Sequence, residues 1–396
     1  MAEKWSTAFG RYLRMLRQRR GLSLQEVCSL SQVFAETLDK GYLSRCENGH
    51  QGPALSKIIP LSRIYDVPAD VLLERLELDM ELDRIGGPET AGLTFGELTD
   101  RCYTSINEGY VWTAYAFARD AISRAATDRL MARYTSKDEQ RMGALMNCAS
   151  TAGFLGREMF ALHEYQHVEQ SRLVGPALYP IVLERLSQSF RKLKQFDRAL
   201  HYGDLAVAEA EQIEGFDRLG HVYTSRALLA LAMGDLRGAT EYFGQAYAAH
   251  KKAGRQYECA RALNNLAQVY FSGGRLRAAR RALAASERLA EPIKQHRALA
   301  LGRILLGVIE SLEHHDELAT LRWREAARIA RQLDDKVLRF KAEYYLFRQA
   351  HQRGDQPVAR ALHRRLRKLS HWVPDETPEL ADFNVLATNW VSVPIN

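Results

Sequence analysis

The sequence contains one short motif whose side chains could bind a metal ion. His163, Glu164 and His167 follow the pattern H-E-x-x-H, which places two histidines on the same face of a helix. Such a pair can hold a zinc ion while the glutamate activates a water molecule for hydrolysis. A third ligand is required, and Glu184 is the candidate. Because the repeat pattern described below assigns this helix to packing, a zinc peptidase is kept as the alternative, and we expect neither a cofactor nor catalysis.

A second group of residues is suited to hydrogen bonding with the edges of DNA bases. The segment KGYLSRCENG, residues 40–49, predicts a short helix that ends at its Asn-Gly pair, since both residue types tolerate the left-handed backbone that closes a helix. Its apolar side chains, Tyr42, Leu43 and Cys46, can face the interior of a domain. The remaining positions are small or polar and are predicted to face a DNA groove: Lys40, Gly41, Ser44 and Arg45.

Arginines are concentrated in the helix that is predicted before this segment. Residues 11–20 contain five arginines and no acidic residue. Beside a helix that reads DNA, their guanidinium groups are suited to phosphate contacts. Ser23 and Glu26 form a capping-box pattern, which predicts a further helix at about Leu24–Ser31. The predicted phosphate contacts are Arg11, Arg14, Arg17, Arg19 and Arg20.

These segments resemble those of a known family. The decapeptide at 40–49 and the later IYDVPADVLL, residues 64–73, resemble the XRE/Cro-like helix-turn-helix family, and the resemblance covers about residues 9–76. It implies a five-helix DNA-binding domain at residues 1–80, with double-stranded DNA as its partner. The family often has a glutamine where this chain has Leu24, so the corresponding phosphate contact is either made by Gln25, which we name as a candidate, or absent.

A boundary is predicted after this domain. Residues 72–85 are rich in leucine and acidic residues, and Gly86-Gly87-Pro88 follows them. Two glycines and a proline disfavour a continued helix, so residues 81–93 are interpreted as a linker. The helix before the glycines either pairs with its copy in a dimer or packs against the rest of the chain.

The remainder of the sequence repeats with a period of 40 residues. Alanines recur at this spacing, each with a turn-like residue five positions earlier: Ala199, Ala239, Ala279, Ala319 and Ala359. The spacing matches the tetratricopeptide pattern, and two weaker units fit upstream. We therefore predict an all-α protein in which about seven helical hairpins, residues 94–369, form a right-handed superhelix with a concave face. Residues 370–396 form a tail that caps the last repeat or extends to a partner.

The concave face is the predicted effector site. Amide side chains can both donate to and accept from a peptide backbone, and arginines can pair with a carboxylate. The predicted contacts are Asn147, Arg185, Gln188, Arg261, Asn264, Asn265, Gln268, Tyr344 and Arg348. A hydrated groove without a ligand is the alternative. The combined layout is similar to that of RRNPP-class bacterial regulators, and this resemblance implies a peptide effector that alters DNA binding.

Composition favours an intracellular protein with a polyanionic partner. The chain has 396 residues, a formal net charge of +7 and a hydrophobic fraction of 46%. Five scattered cysteines favour reduced thiols, and no stretch approaches the roughly 18 apolar residues of a membrane helix. We therefore predict a cytoplasmic, homodimeric transcriptional regulator that binds DNA and a peptide or protein effector. A protein-interaction scaffold whose helix-turn-helix no longer reads DNA is a further alternative.

Overall fold

The computed structural model describes residues 6–213, 216–375 and 377–391, and all regular structure in these ranges is helical. The first five helices are α1 (Thr7–Arg19), α2 (Leu24–Ser31), α3 (Lys40–Glu47), α4 (Leu55–Tyr65) and α5 (Ala69–Ile85). The next fourteen are α6 (Phe95–Glu108), α7 (Val111–Ala125), α8 (Lys137–Phe154), α9 (Glu158–Ser171), α10 (Tyr179–Lys192), α11 (Phe196–Glu211), α12 (Phe216–Ala232), α13 (Leu236–Lys252), α14 (Gln256–Ser272), α15 (Leu276–Ala290), α16 (His296–Leu312), α17 (Asp316–Gln332), α18 (Lys336–Gln352) and α19 (Gln356–Leu369). Helix α20 (Pro378–Val391) follows them, and none of these helices is long and apolar enough to cross a membrane.

The N-terminal domain forms because short amphipathic helices share one apolar centre. The side chains of Phe9 and Leu13 in α1 and of Leu43 in α3 are buried in the same core. Gly10 lets α1 pass close to the end of α3, since a Cβ there would lie 2.5 Å from the carbonyl oxygen of Cys46. The capping box that Ser23 and Glu26 predict at the start of α2 is present.

Helices α6 to α19 form seven hairpins, which confirms the predicted repeat array. The five alanines of the 40-residue period are all fully buried between helices, as the close approach of neighbouring units requires. Each turn between the two helices of a unit contains one residue with a left-handed backbone, and φ lies between 59° and 92°: Gly109, Gly156, Lys194, Gly234, Gly274, His314 and Gly354. In each of the last five repeats, the turn residue with the left-handed backbone is therefore followed five positions later by an alanine that packs between helices.

Helix α5 extends from the N-terminal domain onto the array, and residues 86–94, which are not helical, then lead to α6. The predicted boundary at residue 80 falls inside this helix, which continues to Ile85. Leu78 and Leu82 are buried in the same hydrophobic core as Phe9 of α1 and Phe160 of α9. Of the two roles considered for this helix, packing against the array is the one observed.

The C-terminal tail caps the last repeat. Phe383 of α20 packs edge-on against Phe340 and Phe347 of α18, with ring centroids 5.7 Å apart in each pair. The hydroxyl of Tyr344 donates to Asp382 at 3.1 Å. Helix α20 therefore covers the exposed side of the seventh hairpin, as an additional first helix would. The predicted tail residue Trp390 lies among side chains outside the described set.

The superhelix curves enough for its last repeat to contact its first. Trp372, just after α19, packs edge-on against Trp112 of α7 at 5.7 Å between ring centroids. The Lys336 ammonium group lies 3.9 Å from the Trp372 ring centroid and 5.0 Å from that of Trp112, and it pairs with Glu81 of α5. We call these four residues, Glu81, Trp112, Lys336 and Trp372, the clasp. It joins the two ends of the array into a ring.

Removal of one clasp ring should open the array. We expect Trp372→Ala to lower the free energy of unfolding by about 2–3 kcal/mol, because an aromatic pair and a partly desolvated cation–π contact are lost together. Small-angle X-ray scattering should show a larger radius of gyration, while circular dichroism keeps its helical signal. Leu318→Ala, at an exposed position of α17, is the control. An unchanged radius of gyration in Trp372→Ala would mean that the clasp does not hold the ring closed.

Candidate nucleic-acid interface and effector cavity

Helix α3 has a polar face on the outer surface of the N-terminal domain. The carboxylate of Asp39 caps the helix by accepting from the amide of Tyr42 at 2.7 Å, so the helix begins at Lys40 as predicted. Lys40, Gly41 and Arg45 are exposed and Ser44 is half-buried. The Nε of Arg45 donates to the side chain of Gln51 at 2.9 Å, which leaves its terminal nitrogens on the outside. All four residues therefore lie on an accessible surface, and Gln25 of α2 is exposed as well.

The structure corrects the assignment of two arginines to phosphate contacts. Arg17 is only 13% exposed and forms a bidentate ion pair with Glu47, at 2.6 and 2.8 Å. Arg19 is 14% exposed and pairs with Glu164 of α9 at 2.9 Å. The hydrogen bonds that Arg17 donates to the carboxylate of Glu47 raise the pKa of Arg17, as expected for a guanidinium held by a carboxylate. Both arginines therefore form ion pairs within the protein, with Glu47 and Glu164, and are not surface charges.

The other three arginines of this helix retain exposed side chains. Arg20 is half exposed and lies 3.3 Å from Asp66. Arg11 is 59% exposed, and its nearest carboxylate oxygen, on Asp120, is 3.9 Å away. Arg14 donates to Asn48 at the end of α3 at 2.7 Å. Arg14 also pairs with buried Glu47 at 3.3 Å, so only the Arg20–Asp66 pair is exposed on both sides. An exposed ion pair of this kind is weak and exchanges readily for a phosphate contact.

The H-E-x-x-H motif serves as a contact between the two parts of the chain. Glu164 is buried, and its carboxylate accepts from the hydroxyl of Tyr12 at 3.2 Å and from Arg19. Burial would raise the pKa of Glu164, but the Arg19 guanidinium outweighs it and lowers the pKa to about 2. This carboxylate is held by α1 and is not free to activate water. We call the contact of Tyr12, Arg19 and Glu164 the interdomain lock.

The proposed zinc ligands are not brought together in the described part of the chain. Glu184 is engaged by Gln188 and by Arg185 on its own helix. The three side chains close enough to share a metal ion are instead Glu310, Glu313 and His315, and Arg280 pairs with both of those glutamates. The geometry therefore does not support the zinc peptidase hypothesis.

A second buried ionic cluster holds α5 inside the array. The Nε of Arg75 donates to Asp79 at 2.7 Å, and the hydroxyl of Tyr115 donates to the other oxygen of Asp79 at 3.0 Å. Arg75 also lies over the rings of Tyr12 and Phe160, 5.0 and 5.3 Å from their centroids. The cluster therefore contacts α1, α7 and α9 at once. Together with the interdomain lock it fixes the N-terminal domain on the first two repeats.

The ring encloses a central cavity of about 740 Å³. This volume is typical of a site for a small ligand. Its wall is formed by first helices of several repeats, by the segment after α19 and, through Glu74, by α5. Burial raises the pKa of Glu74 to about 7, although the carboxylate accepts from the amide of Phe160 at 2.8 Å. One residue of the N-terminal domain thus lies in the wall of a cavity in the array.

Four of the nine predicted effector residues line this cavity: Gln188, Arg261, Asn264 and Asn265. Arg185 and Gln188 border a small recess beside it. The amide of Asn264 donates to the carbonyl of Ala298 in the next repeat at 2.8 Å, so part of its hydrogen-bonding capacity joins two units. The structure therefore brings these four residues, from the third and fifth repeats, to one cavity.

The remaining predicted effector residues lie elsewhere. Asn147 accepts from the hydroxyl of Tyr103 at 3.3 Å, and Gln268 and Arg348 are exposed. Tyr344 is 1% exposed because α20 covers it, which corrects its assignment to an open groove. The sequence reasoning did not identify Glu74 or Arg297 as cavity residues. Arg297 lies near the start of a first helix, and the first-helix register that identified Arg261 could have found it.

Comparisons with known proteins agree with this arrangement. Residues 8–76 match the family model of a helix-turn-helix domain, and no curated protein matches the sequence. A Rap protein complexed with competence and sporulation factor is similar in structure, with 16% identity, 95% of this chain and 97% of that chain covered, and a TM-score of 0.56. The Rap conjugation gene regulator of the plasmid pLS20, in complex with the Phr* peptide, has 13% identity, 96% coverage of each chain and a TM-score of 0.53. The chain therefore has the predicted layout, a helix-turn-helix domain followed by tetratricopeptide-like repeats.

Proposed function

We propose that this protein is a transcriptional regulator that binds DNA through α3 and whose repeat array binds a peptide effector. The observation that carries the proposal is the exposed polar face of α3 in a helix-turn-helix domain. In such domains the second helix of the motif enters the major groove and its exposed side chains contact base edges. A fold that resembles regulators rather than enzymes supports the same conclusion.

The proposed DNA contacts divide into two groups. Lys40, Ser44 and Arg45 lie on α3 and contact bases, with Gly41 allowing close approach of the backbone. Outside α3, the exposed side chains of Arg20 and Gln25 contact phosphates. Phosphate contacts position a domain on the duplex, and base contacts select the sequence. The buried Arg17 and Arg19 belong to neither group.

A peptide effector is proposed from the cavity and from the two similar structures. One of those proteins is in complex with the Phr* peptide and the other with competence and sporulation factor. In this chain, Gln188 and Asn265 place amide groups in the cavity wall. An amide can donate to and accept from the backbone of an extended peptide.

The route from effector to DNA runs through α5. Glu74 of this helix lies in the cavity wall, and its neighbours Arg75 and Asp79 are buried between α1, α7 and α9. Because the N-terminal domain is fixed on the first two repeats, a change in the curvature of the array moves the whole domain. We propose that the protein acts as a homodimer, in which such a change alters the spacing of two α3 helices relative to half-sites about 34 Å apart.

The DNA-binding proposal is tested by single substitutions in α3. We expect Arg45→Ala and Lys40→Ala each to weaken binding to a specific site by about tenfold or more, because a good base contact contributes about 1–3 kcal/mol. Sites are selected from random duplex DNA with the wild-type protein, and dissociation constants are then measured at two salt concentrations. Specific sites should remain bound at the higher salt concentration, whereas non-specific binding weakens steeply.

The matched control is Arg360→Ala, an exposed arginine of α19 far along the chain. It removes the same charge and should leave the dissociation constant unchanged. If Arg45→Ala and Arg360→Ala bind equally well, α3 does not read the sequence. If the wild-type protein selects no sequence at all, the interaction scaffold becomes the better hypothesis.

A further inference from the structure

The cavity wall carries an excess of positive charge. Six of its side chains are cationic, whereas three are carboxylic acids: Glu74, Glu158 and Asp375. The cationic residues are Arg157, Arg191, Lys192, Lys194, Arg261 and Arg297. Protonation of Glu74, whose pKa is about 7, increases the excess further. Charges in a concave site that is partly shielded from water interact more strongly than charges on a flat surface.

Three of these cationic side chains form an ion pair with a carboxylate of the protein. Lys192 pairs with Glu158 at 2.5 Å, and Arg297 pairs with Asp335 at 2.8 Å. Arg157 pairs with Glu77 at 3.1 Å and lies over the ring of Trp372. Neither Arg261 nor Lys194 has a side-chain hydrogen bond or an ion pair with a described residue, and of the two only Arg261 is a guanidinium in the wall beside amide side chains.

The surroundings of Arg261 are themselves positive. By accessible surface the side chain of Arg261 is exposed, and it lies in the cavity wall, where surrounding protein partly desolvates it. This desolvation, together with the guanidinium groups of Arg185 and Arg297, lowers the pKa of Arg261 despite an opposing effect of Glu258. Arginines that have a carboxylate partner behave differently, since Glu184 raises the pKa of Arg185 and Asp79 raises that of Arg75. Arg261 therefore carries its positive charge among positive neighbours without an ion pair of its own, and a bound anion would offset this repulsion.

Amide donors lie on the same wall. Asn265 follows Arg261 by four positions on α14 and is half-buried. Gln188 of α10 also lines the cavity. Residues four apart on a helix project from the same face. A guanidinium and a neighbouring amide can together donate several hydrogen bonds to the oxygens of one anionic group.

We propose that the effector carries an oxyanion, a carboxylate or a phosphate group, which binds Arg261 and Asn265 inside the central cavity. This inference rests on the proposed function of the array as the effector site and specifies the chemistry of its ligand. A carboxylate is planar and a phosphate is tetrahedral, but both present negatively charged oxygens. A guanidinium binds either group through a pair of hydrogen bonds. The carboxylate would come from the end or an acidic side chain of a peptide, and the phosphate from a phosphorylated metabolite.

The test uses the full-length protein and three probes. The first is a random hexapeptide pool with free carboxyl termini, the second is the same pool with amidated termini, and the third is inorganic phosphate. Binding is followed by thermal unfolding and, for the pools, by mass spectrometry of retained peptides. The variants are Arg261→Gln and the control Arg288→Gln, an exposed arginine of α15 in the same hairpin.

We expect the free-acid pool or phosphate to raise the unfolding temperature of the wild-type and Arg288→Gln proteins, with at least tenfold weaker binding to Arg261→Gln. Loss of binding on amidation identifies a terminal carboxylate as the source, and binding of phosphate alone identifies a phosphorylated ligand. Without any probe, Arg261→Gln should unfold at a higher temperature than the wild type, because the repulsion with Arg185 and Arg297 is removed.

The inference is overturned if Arg261→Gln binds the probes as well as Arg288→Gln does, or if no anionic probe binds at millimolar concentration. DNA binding is measured on the same samples. Specific DNA binding without an effect of Arg261 would reject the anion site and leave the regulator proposal in place. Absence of sequence-specific DNA binding in all variants would reject the regulator proposal, whichever probes bind in the cavity.

Discussion

Replacement of Glu164 by alanine should lower the free energy of unfolding by about 3–5 kcal/mol. The substitution leaves the guanidinium of Arg19, which is 14% exposed, without its carboxylate, and removal of one member of a buried ion pair costs about that much. The hydroxyl of Tyr12 loses its acceptor at the same time. Chemical denaturation of the full-length protein measures the change.

The control for this substitution is Glu169→Ala on the same helix, which removes a partly exposed glutamate without an ion pair among the described residues. A double variant, Arg19→Leu with Glu164→Leu, should be less destabilised than the sum of its single substitutions, because neither charge is left alone. If Glu164→Ala and Glu169→Ala destabilise the protein equally, the interdomain lock contributes nothing specific.

The contribution of Glu164 should depend on pH. Its folded-state pKa is about 2, which is below the usual pKa of a glutamate of about 4.3, so the folded state favours the ionised form. The resulting stabilisation is fully present above about pH 4.3 and is lost as the pH falls toward 2. The difference in unfolding free energy between the wild type and Glu164→Gln should therefore shrink between pH 6 and pH 3.

Replacement of Asp79 by alanine should have an effect of similar size, about 3–5 kcal/mol. Arg75 is 4% exposed and would be left inside the protein without a carboxylate, surrounded by the rings of Tyr12, Tyr115 and Phe160. Asp79→Asn keeps an oxygen that can accept from Arg75 and should be intermediate. The melting temperature and the cooperativity of unfolding are the measurements.

Asp83→Ala is the matched control, since Asp83 lies one turn further along α5 and is exposed. It should change the unfolding free energy by less than about 0.5 kcal/mol. A loss of specific DNA binding in Asp79→Ala at a temperature where the protein remains helical would indicate that α5 also orients the N-terminal domain. Equal stability of the two alanine variants would contradict the role of the buried cluster.

The local parts of the fold could be predicted from the sequence because their signals are local. The C-terminal end of α3 follows from the Asn48-Gly49 pair, and Gly49 has the left-handed backbone that closes the helix. The repeat hairpins follow from one alanine and one turn residue per 40 residues, and the alanines are buried as expected. These features depend on backbone conformation and on the space between adjacent helices, which a short segment determines.

The fate of the arginines could not be predicted in the same way. Arg17 and Arg20 are three residues apart in one basic run, yet Arg17 is bound by Glu47 while Arg20 is half exposed. The carboxylate that binds Arg19 is 145 residues away along the chain. A run of like charges has the same appearance in sequence whether its partners are water, phosphate or distant acids. The cavity was located only in part for a similar reason, because small rotations between seven units decide which first helices face each other.

Closure of the ring also affects the order in which the chain can fold. In an open repeat array each unit contacts only its neighbours, so units can fold as soon as they leave the ribosome. Here Trp112 finds Trp372 only after about 260 further residues, which takes roughly 10–50 s of synthesis at about 5–20 residues per second. During that interval the first repeat exposes an aromatic surface. The N-terminal domain can therefore pack on the first two repeats early through Glu164 and Asp79, whereas closure of the ring through Trp372 must wait for the end of translation.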